Sequence, residues 1–163
     1  MWWARFLVLS AMLSGCGFQP MYAPSTAQNA APLPSLTVST IADRSGQILR
    51  EALEQRLGRS QSGDYRLDVT LEENLQYLGI QKDSTTSYVR LSLIATYRVV
   101  DQKTNKAVYK DQARSQSGYT VVISDYGNLV AEQDAREKTL QELAVIIDQT
   151  VRLQLPKLAA ARP

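Results

Sequence analysis

Two facts decide most of the chemistry open to this chain of 163 residues: it has one cysteine, Cys16, and no histidine. A single thiol makes no disulfide within the chain. Without histidine the commonest general base is gone, and with it the usual partner of a nucleophilic serine and the commonest zinc ligand. Catalysis would have to run on carboxylates, lysine or tyrosine alone. Glu72-Glu73 is the one adjacent carboxylate pair, but it continues a strand pattern, where neighbouring side chains point to opposite faces. The two cannot form an acid–base dyad. Asp64 and Asp68 share a strand face at about 13 Å, too far apart to hold one metal. Ser115, Ser117 and Ser124 have no base to activate them. We expect no enzyme here, and no catalytic, cofactor or metal site.

Cys16 has a different use. Upstream lie Met1-Trp2-Trp3-Ala4-Arg5 and an apolar run from Phe6 to Leu13. A short basic start, an apolar core and small residues at its end describe a secretory signal peptide. The apolar run is far short of the ~20 residues that span a bilayer. Leu13-Ser14-Gly15-Cys16 fits the bacterial lipobox, in which the thiol receives a diacylglyceryl group and signal peptidase II cuts just before it. Residues 1–15 are then the signal peptide and Cys16 a lipid anchor.

The anchor needs a spacer and a body. Pro20, Pro24, Pro32 and Pro34 among small polar residues make 16–35 a lipidated cysteine and tether. Fully extended, residues 17–35 reach about 60 Å, and as a coil about 25 Å. Residues 36–158 are expected to form one domain, with 159–163 as a tail. Removing residues 1–15 takes away Arg5 and lowers the formal charge from +2 to +1. A near-neutral body argues against nucleic acid, which calls for a concentrated basic surface.

Periodicity supplies the elements. Leu36–Ile41 reads as a strand with Leu36, Val38 and Thr40 on one face. A helix follows, capped by Asp43 or Ser45, with Leu49, Leu53 and Leu57 on its apolar stripe and Gly58 at its end. Tyr65, Leu67, Val69 and Leu71 alternate with Arg66, Asp68, Thr70 and Glu72. Val89, Leu91, Leu93, Ala95, Tyr97 and Val99 repeat that pattern against Arg90, Ser92, Thr96 and Arg98. These are half-buried strands. Residues 101–106 form a turn, and Ala107 onward returns through Arg114 or beyond. A long helix starts near Gly127–Leu129, capped by Asp125 or Asn128, and runs on Leu140, Leu143, Ala144, Ile147, Val151 and Leu155 to stop at Pro156. The expected fold is α+β, a four-stranded mainly antiparallel sheet with two helices on one face, in the order β-α-β-β-β-α. Its other face is left uncovered. Lys82, Arg90, Arg98, Lys103, Lys106, Lys110 and Arg114 sit on the middle strands and their turns, as any solvated sheet would place them.

The opening Leu-Ser-Gly-Cys-Gly-Phe-Gln-Pro-Met-Tyr at 13–22 resembles the start of lipoproteins of the LptE family. The body is similar too: Ser45-Gly-Gln-Ile-Leu-Arg-Glu-Ala-Leu-Glu-Gln-Arg-Leu57, the strands at 65–72 and 88–100, and the run from Tyr119 to Ala144. The resemblance implies an outer-membrane lipoprotein anchored in the periplasmic leaflet, with Gly17 after the cysteine in keeping with outer-membrane sorting. It implies a partner, the LptD barrel, within which the chain acts as plug and assembly aid, and a ligand, lipopolysaccharide. Lys82 and Arg90, flanking the loop Lys-Asp-Ser-Thr-Thr-Ser-Tyr-Val-Arg, take the place of lipopolysaccharide-binding basic residues in the family. Near the start of the last helix, where the family suggests a lysine, this chain has Leu129-Val130. The alternative reading is a lipoprotein adaptor of another envelope machine, for barrel assembly or peptidoglycan linkage.

Overall fold

Period-two alternation builds the sheet. In the computed structural model, which describes residues 34–80 and 86–161, the elements are β1 (Leu36–Val38), α1 (Asp43–Leu57), β2 (Tyr65–Ile80), β3 (Thr86–Asp101), β4 (Lys106–Thr120) and α2 (Asp125–Ala160). The sheet has four strands in the order β1-β2-β3-β4. β2 runs antiparallel to β3 and β3 to β4, while β1 lies parallel to β2 over Leu36–Val38 and Tyr65–Leu67. A parallel pair needs a crossover connection, and α1 provides it. The α+β order expected from the sequence holds, with this one parallel pair.

Both helices lie on the face formed by Leu36 and Val38 of β1 and the odd-numbered residues of β2 and β3. α1 packs against α2 and β1, and α2 against β4 and β3. Leu49 and Leu53 of α1, Tyr65 and Leu67 of β2, Leu91, Leu93, Ala95 and Tyr97 of β3, and Leu140, Leu143, Ile147 and Val151 of α2 are buried in one core. The i, i+3, i+4 spacing of the α2 residues gives a continuous apolar stripe that covers the sheet.

Several boundaries differ from the expectation. β1 ends at Val38, leaving Thr40 exposed, and Ile41 turns in against Gly46 instead. Neither Asp43 nor Ser45 caps α1; its N-cap is Ala42, with no side-chain bond. Gly58 does end that helix, at φ 91°, donating its N–H to the Glu54 carbonyl. α2 begins two residues earlier than Gly127, because Ser124, not Asp125 or Asn128, caps it and accepts from the Gly127 N–H at 3.2 Å. It also runs through Pro156 to Ala160. So near the C-terminus, proline removes one hydrogen bond and leaves few later turns to disturb.

β4 carries the least regular pattern because its inward residues are polar and satisfied by α2. Ser115 donates to Glu142 Oε2 at 2.6 Å, and Ser117 donates to the Ala135 carbonyl at 2.9 Å. The buried Thr139 hydroxyl sits 2.6 Å from Ser117 Oγ. These serines tie β4 to α2. A register shift at Val99/Val100 leaves Val108 as the extra residue of a bulge, and Asn105, at φ 52°, closes the turn before it.

A basic face on the uncovered side of the sheet

The even-numbered residues of β2, of β3 and, from Lys110 onward, of β4 point away from the helices. Pairing fixes their neighbours in rows across the sheet: Asp68, Arg98 and Lys110; Thr70, Thr96 and Gln112; Glu72, Ile94 and Arg114; Asn74, Ser92 and Gln116; Gln76, Arg90 and Gly118. Arg66 lies opposite Val100 at one end, and Tyr88 opposite Thr120 at the other. Arg66, Arg90, Arg98, Lys110 and Arg114 thus share this face with only two carboxylates, Asp68 and Glu72. The Glu72-Glu73 pair is split as strand geometry requires, Glu73 pointing to the helices and Arg136.

The cations are not equivalent. Arg66 binds Asp68 with two hydrogen bonds of 2.8 and 3.3 Å, and Arg98 adds a third at 3.1 Å. Partial burial disfavours the charged Asp68, but the hydrogen bonds and charges of Arg66, then Arg98, outweigh it and hold the carboxyl below its ordinary value. Arg114 donates to the Ser92 hydroxyl at 3.2 Å. Arg90 is exposed and, among the described residues, has no carboxylate partner. Of the two predicted ligand-binding residues, Arg90 stands on the open face. Lys82 lies outside the described residues, and so does Cys16.

The sequence did not single out the local shape beside Arg90. Gly118 sits next to it in the same row, and a Cβ built there would fall 2.1 Å from Tyr88 Oη. The Tyr88 phenol therefore lies in the notch that glycine leaves, directly beside the arginine. Arg66 was legible as an outward residue two positions from Asp68 on the same strand face, but the third bond to Asp68, from Arg98, needed the β2–β3 register.

Arg90 and Arg98 are eight residues apart, roughly 27 Å along the strand, with Arg114 between them on the next strand. Such an array does not clamp one phosphate. It suits a ligand with several separated anionic groups, or several ligands. Among the described residues no helix is long and apolar enough to cross a membrane.

Comparison with known proteins agrees with this architecture. The fold matches that of a protein from Caulobacter crescentus described as a lipoprotein, at 26% identity and a TM-score of 0.58, over 79% of this chain and 93% of that one. It also matches a minor lipoprotein from Acinetobacter baumannii at 20% identity and a TM-score of 0.56, over 71% and 90% of the two chains. Rare lipoprotein B from Shewanella oneidensis matches at 13% identity and a TM-score of 0.58, over 77% and 97%. No protein of curated function matches. The model of one family, described as LptE, lipopolysaccharide-assembly, matches residues 33–155. With three-quarters of its length inside that match, the chain belongs to the LptE family.

Proposed function

We propose that this chain is an outer-membrane lipoprotein, anchored through acylated Cys16, that sits with an LptD-type barrel as plug and assembly partner in the passage of lipopolysaccharide to the cell surface. It acts by binding, without catalysis. The observation that carries the ligand is the open sheet face, where Arg90 has no carboxylate partner among the described residues and Arg114, Arg98 and Lys110 extend a basic track. Lipopolysaccharide carries separated phosphate and carboxylate groups on a rigid sugar frame, and spaced cations on a flat sheet complement that pattern. The same polar face also suits the water-lined interior of a barrel. The helix-covered face has its apolar groups already spent in the core.

Depletion of the protein tests the reading in cells. Loss of surface lipopolysaccharide with other barrels intact is expected; general loss of barrels would point instead to an adaptor of barrel assembly. In vitro, Lys82→Glu with Arg90→Glu in the full chain should weaken lipopolysaccharide binding about tenfold or more without changing the melting temperature. Unchanged binding would remove the open face from the mechanism. Cys16→Ala should lose membrane anchoring while the circular dichroism of the domain stays the same.

A further inference from the structure

The corner between β4 and α2 has chemistry opposite to that of the open face. Val122, Ile123, Tyr126, Leu129 and Val130 are exposed by 51, 105, 77, 52 and 45%. Helical spacing sets Tyr126, Leu129 and Val130 on one stripe, and Ile123 continues it into the loop. Isolated exposed apolar residues are ordinary; five within nine consecutive positions make a patch.

This corner is also held rigid. The Asn128 side chain bridges Val122 on both sides, accepting from its N–H at 2.8 Å and donating to its carbonyl at 2.8 Å. Ser124 caps the helix with its side chain and accepts from the Asn128 N–H at 3.0 Å through its carbonyl. Val122 rests against Gly127, where an added Cβ would come within 3.2 Å of it. Ile123 thus stands exposed between two tied neighbours, Val122 and Ser124. A pre-organised knob loses little conformational entropy on docking.

Charge and size select the occupant. From Tyr119 to Ala135 there are three carboxylates, Asp125, Glu132 and Asp134, and no lysine or arginine. An anionic lipid surface or lipopolysaccharide would be repelled here. A second copy meeting this corner would set the same carboxylates against each other, and a patch on the order of a few hundred Å² can be only part of the ~800 Å² per partner that a stable interface buries. We propose that the Val122–Val130 corner is a docking knob for a protein partner that offers a preformed apolar recess with a basic or neutral polar rim. That this partner is the barrel rests on the function proposed above; the knob itself does not.

The test uses full-length lipoprotein extracted from membranes in mild detergent, with a photo-crosslinking amino acid at position 123 or 126. Crosslinks from both positions to the barrel chain are expected. Ile123→Asp with Leu129→Asp should cut co-purification of the barrel at least tenfold, while Leu153→Asp, on an exposed site near the far end of α2, leaves it unchanged. Crosslinks to lipopolysaccharide, to phospholipid or to a second copy would overturn the proposal, as would full barrel recovery with the double variant. If wild-type protein brings down no barrel, the proposed function fails. In that case the knob stands only if both positions crosslink to one identified other protein and the double variant abolishes it. The crosslinks are made on the otherwise native chain, so they do not depend on how the variants fold.

Discussion

Gly118→Ala is the most informative single substitution on the open face. An alanine Cβ at this position would lie 2.1 Å from Tyr88 Oη, 2.4 Å from Tyr88 Cζ and 2.8 Å from the Val89 carbonyl oxygen. The first two contacts are with a part-exposed side chain that can swing into solvent, giving up its seat and some of its buried area. The third is with backbone held in the β3–β4 ladder, where Val89 pairs with Tyr119, and it can be relieved only by spreading the strands. Overpacking of this kind costs about 1–3 kcal/mol. In a domain of this size 1 kcal/mol corresponds to about 4 °C in melting temperature, so a fall of about 8 °C is expected at the middle of the range. A double-mutant cycle separates the two causes. In a Tyr88→Ala background the side-chain clash is already gone, and Gly118→Ala should cost about 1 kcal/mol less than in the native chain. Thermal unfolding of the four proteins, followed by far-ultraviolet circular dichroism, measures this. An equal cost in both backgrounds would show that the phenol does not occupy the notch, and no cost in either would refute the close approach altogether.

Three further outcomes follow from the packing and the ion pairs. Leu143→Ala removes a fully buried side chain from the helix–sheet core and should cost about 3 kcal/mol in urea unfolding; less than 1 kcal/mol would mean that α2 does not press on the sheet there. Arg136 binds Glu73 on β2 at 2.8 and 3.2 Å and Glu132 at 2.6 Å, so Arg136→Met leaves two carboxylates facing each other. A loss of about 1 kcal/mol is expected, partly recovered by adding Glu73→Gln, and absence of that recovery would refute the bridge. Asp68 has its folded-state pKa lowered, so its contribution is present above the unfolded carboxylate value and is lost as pH falls through the folded one. Unfolding free energy between about pH 5 and 2 should therefore fall less steeply in Asp68→Asn than in the native chain, by on the order of 0.5 kcal/mol. Parallel pH profiles would contradict the Arg66–Asp68–Arg98 arrangement.

How far the sequence could be read depended on whether a residue's partner lay nearby. β3 was legible over nearly its whole length, because Val89 to Val99 alternate and face a continuous apolar core. β2 runs eight residues beyond Glu72, where its pattern had faded. The inward position there is Glu73, whose partner Arg136 comes 63 residues later. In β4 the inward Ser115 and Ser117 answer to Glu142 and Ala135 on α2, so no local apolar signal marks the strand. The start of α2 was misread for a related reason: Asn128 has cap chemistry but spends it on Val122. On the open face, alternation alone placed the cations. Which of them pairs with Asp68 across the strands followed only from register, since Asp68 falls opposite Arg98 and not near Arg90.

The brevity of β1 has a consequence for how the molecule comes apart. It pairs with β2 only from Tyr65 to Leu67, so among the described residues β2 is an edge strand from there onward, as β4 is on the other side. At one end the sheet is clamped by β1, α1 and the turn at 102–105, while the end around Leu78, Tyr88 and Thr120 has, among the described residues, only the first turns of α2 nearby. Amide hydrogens should therefore exchange with solvent in a gradient, fastest near Leu78 and Tyr88 and slowest near Leu67 and Val99. The three-stranded ribbon would open like a zipper from its unclamped end, with the Arg90 notch among the first parts to loosen and the Asp68 ion pairs among the last.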